Sequence, residues 1–146
     1  GAPAAAIVAP STGDSSASLA TNEQGDFDRA KAALDAGDFR AAADQFATFT
    51  QTYTGGPLTA EAHFLRGEAL SGLGETSNAA RAWLEAFSTD MTGARAAVAL
   101  FKVGQALGQL GQGPDACVTL AEVGVRFPGT GAATDAAVQA QGLGCQ

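Results

Sequence analysis

"LGQGPDACVTL", Leu110–Leu120, sets two glycines and a proline among apolar residues at helical spacing. Inside one helix the glycines would cost about 1 kcal/mol each and the proline about 3. "LGETSNAARAW", Leu73–Trp83, and "AGDFRAAADQF", Ala36–Phe46, resolve the conflict, because Gly37, Gly74 and Gly111 align at a period of 37 residues. The same offset aligns Phe27, Phe64 and Phe101. It also aligns Ala30, Gly67 and Gly104; Ala33, Leu70 and Leu107; Ala42, Ala79 and Ala116; and Phe46, Trp83 and Leu120. Six columns in one ungapped register define an internal three-fold repeat.

Each unit reads as a helix pair. In the middle unit Phe64, Gly67 and Leu70 mark one face of a first helix over roughly 59–72. Gly74 ends it, and Ala79, Ala80, Trp83, Ala86 and Phe87 mark a second over roughly 76–87. Pro114 then falls at a helix start, where its missing N–H costs nothing. Helices joined by so short a turn must cross closely, which explains the Ala/Gly columns. The predicted fold class is all-α: three helix–turn–helix repeats (about 26–57, 58–93 and 94–130) and a capping helix (about 131–143) in a right-handed solenoid. Residues 1–25, rich in Ala, Pro and Ser, read as a flexible linker with no heptads.

Composition excludes several partners. The chain of 146 residues has a net charge of −7 and a pI near 4.4, with Lys31 and Lys102 its only lysines. Nucleic acid is therefore not an expected partner. No apolar run reaches the roughly 18 residues of a membrane span, and no basic stretch marks a signal peptide at the start of the sequence. Cys117 and Cys145 have no metal spacing, and with His63 they supply too few ligands for zinc. Neither a metal nor a cofactor is expected. Cys145 ends the cap and Cys117 lies on the helix it should cover. A bridge would pin the cap; the alternative is one buried and one frayed thiol. A redox switch lacks a Cys-x-x-Cys motif.

Catalytic patterns are absent from the sequence. His63 has no nucleophile at an interpretable spacing, and the carboxylates are dispersed at one or two per helix. "GQGPDAC" lacks the lysine of a phosphate loop and follows a helix. No enzyme activity is expected.

The pattern of small and aromatic columns resembles the tetratricopeptide repeat, with three residues added to its usual period. Within that class, "LFKVGQALGQLGQGPDA" (Leu100–Ala116) and "RFPGTGAATDA" (Arg126–Ala136) resemble the C-terminal domain of the Tol-Pal-associated YbgF/CpoB family. That resemblance implies a non-catalytic periplasmic adaptor acting with a Tol-system component and the peptidoglycan synthesis machinery at division. It implies a trimer only where an upstream coiled coil exists. The alternative is a scaffold repeat domain of a larger envelope enzyme or lipoprotein assembly factor. Because first helices line the concave face of such arrays, the resemblance points to a partner groove at Phe27, Lys31, Phe64, Glu68, Phe101 and Gln105. Gly108 extends the stripe and would leave room for a partner. The competing reading makes the phenylalanines inter-repeat core.

Overall fold

The computed structural model describes residues 12–146. Its helices are α1 (Thr12–Asp35), α2 (Phe39–Thr52), α3 (Thr59–Gly72), α4 (Thr76–Thr89), α5 (Ala96–Gln109), α6 (Gly113–Arg126) and α7 (Gly131–Gly142), with no strand among the described residues. Helices α1/α2, α3/α4 and α5/α6 pair, and each pair packs on the next. Helix α7 closes the stack against α5 and α6.

The turns within pairs share one hydrogen-bond pattern. Gly37, Gly74 and Gly111 have φ of 78°, 76° and 77°, the left-handed region that glycine enters without a Cβ penalty. The amide after each glycine donates to the carbonyl five residues back: Asp38 to Ala33, Glu75 to Leu70 and Gln112 to Leu107, at 2.9–3.0 Å. The column Ala33/Leu70/Leu107 therefore supplies both packing and the acceptor of a Schellman cap. Gly144 and Cys145 repeat the pattern at the end of α7. Asp38 caps α2 by accepting from the Ala41 amide, Thr130 caps α7 through Ala133, and Pro114 opens α6.

The crossing columns are as tight as their composition demands. Ala30, Ala42, Ala79 and Ala116 are fully buried. A Cβ on Gly67 would collide with the indole of Trp83, and one on Gly104 would lie 2.7 Å from Leu120 Cδ2. Around these crossings lies one continuous core, with Phe46, Phe49 and Val123 its largest fully buried side chains. One period beyond Gly104, on α7, the crossing column holds exposed Gln141. The capping helix thus lacks the small residue against which a further helix would cross.

The first boundary is corrected. The expected linker over 1–25 overlaps α1, which is helical from Thr12; residues 1–11 lie outside the described residues. Glu23 on α1 is buried, its carboxylate seated against Gly56 in the α2–α3 connection. The helix is thus part of the packed domain before residue 26. Its Ser/Thr/Asn-rich start carries no apolar period, so nothing in the pattern signals it.

Candidate functional site

The helices α1, α3, α5 and α7 form one face of the stack, and the expected groove residues separate along it. Phe27 is core. Its ring meets Phe46 at 5.9 Å and Phe49 at 5.7 Å, both edge-on, and it is 7 % exposed. Phe64 is 4 % exposed and lies beneath two cations of the next repeat: the Arg95 guanidinium 4.6 Å from the ring centroid and the Lys102 ammonium at 5.8 Å. For these two positions the groove expectation is corrected: Phe27 is core within its own repeat, and Phe64 is core between repeats. Lys31 is exposed and paired with Asp35 at 3.0 Å on its own helix. Glu68 is half-buried, accepting from Trp83 Nε1 at 3.2 Å and pairing with Lys102 at 2.8 Å. It clamps the α3/α4/α5 junction. Gln105 is half-buried on α5.

Phe101 differs from its column mates, and the repeat explains why. Between α3 and α5 two ion pairs cross at a spacing of 34 residues, Glu61–Arg95 at 2.8 Å and Glu68–Lys102. Its hydrogen bonds to Glu61 hold the Arg95 guanidinium pKa above its ordinary value. One period later these four columns hold Val98, Ala132, Gln105 and Gln139. No charge spans from α5 to α7, and Phe101 stays half-exposed. The result is a groove of about 510 Å³ with Val98, Phe101 and Lys102 on one wall and Thr130, Ala132 and Asp135 on the other. Lys102 is neutralised by Glu68, whereas Asp135 has no ion-pair partner among the described residues. Sequence reasoning missed Arg95 and Lys102 because their effect falls on the preceding repeat. The pairs at i and i+34, three short of the period, were the available signal.

Gly108 does not leave space for a partner. A Cβ there would come 3.2 Å from Leu143 Cδ1, so the glycine seats the end of the cap. The disulfide Cys117–Cys145 joins α6 to that same end, with Cα atoms 5.6 Å apart. The bridge reading of the two cysteines holds over that of separate thiols.

His63 stands apart from any catalytic arrangement. It is half-buried with Nδ1 lacking a hydrogen-bond partner, and no group of three or more His, Cys, Asp or Glu among the described residues could hold a metal. Burial lowers its pKa below 6.5, with Glu85 opposing and Arg66 adding to the effect. A depressed folded-state pKa gives stability that is present above the unfolded value and lost as pH falls. Urea midpoints should therefore decline between about pH 7 and about pH 5.5. His63→Leu installs the residue of the third repeat (Leu100) and should flatten that decline; an unchanged slope would assign it to other groups.

No helix among the described residues is long and apolar enough to cross a membrane. A tight-crossing helix-pair stack with glycine turns defines a helical-repeat scaffold. Residues 27–94 match the tetratricopeptide-repeat family model. The fold of the chain is similar to the tetratricopeptide domain of Arabidopsis OM64, with a TM-score of 0.68 at 16% identity over 84% of this chain and 94% of that one. It is equally similar to MamA, with a TM-score of 0.68 at 22% identity over 84% and 69% of the two chains. No curated protein matches the chain.

Proposed function

We propose that this chain is a non-catalytic adaptor that holds a segment of a partner protein in the groove between α5 and α7. One observation carries the reading: the charged pairs that roof Phe64 are replaced around Phe101 by Val98, Ala132 and two glutamines. An aromatic surface kept open on a rigid wall is where a partner's apolar side chain gains most from burial. The resemblance at Leu100–Ala116 and Arg126–Ala136 supports a narrower assignment, to the bacterial periplasm, with a Tol-system component and peptidoglycan synthesis machinery as partners. The Cys117–Cys145 bridge suits that oxidising compartment.

Photocrosslinking from position 98 in envelope extract tests both levels. Adducts with a Tol or peptidoglycan-synthesis protein are expected, and Phe101→Ser should weaken that binding about tenfold while helical content is retained. Adducts to other proteins that still need Phe101 would leave the adaptor and remove the Tol assignment. Binding indifferent to Phe101 would remove the groove.

A further inference from the structure

The repeat supplies an internal control for the opposite side of the stack. Between α4 and α6, with α5 as its floor, runs a second groove of about 420 Å³. Buried Leu100 and Val103 form the floor, while Leu84 and Leu110 stand on the rim 47 % and 38 % exposed. One period earlier the floor columns hold His63 and Arg66, and the Leu84 column holds Ala47. There Arg40 crosses to Glu75 at 2.9 Å. The columns of that pair become Ser77 and Gln112 in the second groove, which carry no charge to bridge it. One period later the floor columns are Ala137 and Ala140, and the Cys117–Cys145 disulfide staples α6 to the end of α7. The first junction is bridged and the third is stapled. Only the second combines an apolar floor with exposed leucines.

Charge identifies the occupant. The lining of this groove contains one charged residue, Arg81, and no carboxylate. Six of the eight Lys and Arg side chains are in ion pairs, whereas exposed Arg81 has no ion-pair partner among the described residues. A two-fold dimer through this patch would bring two unpaired guanidinium groups into one interface, which argues against a second copy. We propose that the groove docks a segment of a partner protein presenting two aliphatic side chains to Leu84, Leu100 and Leu110 and an aspartate or glutamate to Arg81. This surface is independent of the α5/α7 groove. One adaptor could hold two segments at once, one on each side of α5.

A phage-displayed library of random peptides, selected on the intact chain, supplies the probe. Binders should pair aliphatic residues with an acidic one. By fluorescence anisotropy their Kd should rise about tenfold with Arg81→Glu and again with Leu84→Ser, both at exposed positions. Phe101→Ser should leave it unchanged, which separates this site from the adaptor groove. Three results would overturn the proposal. They are a selection with no acidic–aliphatic binders, affinities that follow Phe101 instead of Arg81, and a concentration-dependent dimer that Leu84→Ser abolishes.

Discussion

Trp83→Ala is expected to destabilise the domain by about 3–5 kcal/mol, the range for emptying a large aromatic site in a packed core. Trp83 is 5 % exposed, its indole lies on the backbone of Gly67, its Nε1 donates to Glu68 and Lys102 stands 5.2 Å from the ring. One truncation therefore empties the α3/α4 crossing and weakens the clamp to α5. Chemical denaturation followed by far-ultraviolet circular dichroism measures the loss; a cost below about 1 kcal/mol would mean that the crossing collapses freely. The partner position gives a sharper check. Gly67→Ala alone drives a methyl into the indole and should cost about 1–3 kcal/mol by overpacking. The first repeat already pairs alanine with a smaller ring, Ala30 with Phe46. Gly67→Ala combined with Trp83→Phe should therefore cost less than the sum of the single changes. Additive costs would show that the two columns do not pack as a unit.

These columns were legible because each repeat must solve the same crossing. Gly67 and Trp83 sit beside their counterparts in a register that chance does not produce, and the glycine turns follow from the same alignment. Burial of the phenylalanine column was not legible. Whether Phe64 or Phe101 is covered depends on residues of the following repeat, and the units differ there: Arg95 and Lys102 roof one ring where Ala132 and Gln139 leave the other open. Periodicity reports what a helix repeats, and the open groove lies where the repetition fails. The start of α1 was hidden for a related reason. Its buried portion begins at Glu23, whose carboxylate lies against Gly56, and Glu23 belongs to no apolar period.

Reducing the Cys117–Cys145 bridge, or replacing both residues with serine, should lower stability by roughly 3–4 kcal/mol in the chain-entropy model for a loop of 28 residues. The loss should concentrate in α7. That helix buries only Ala132 and Ala136, with Ala133 and Ala140 partly buried, so hydrophobic burial alone holds it weakly. Hydrogen exchange should then show α7 amides losing protection while α3 and α4 keep theirs. Uniform loss along the chain would mean that the stack unfolds as one unit and the bridge has no local role. Helix α7 also forms one wall of the open groove through Thr130, Ala132 and Asp135. A partner held against Phe101 should therefore bind the reduced chain more weakly than the oxidised one. Peptides docked at Arg81 should be indifferent, because the α4–α6 groove has no lining residue on α7. A single reduction experiment with both kinds of probe thus tests whether the two sides of α5 act independently.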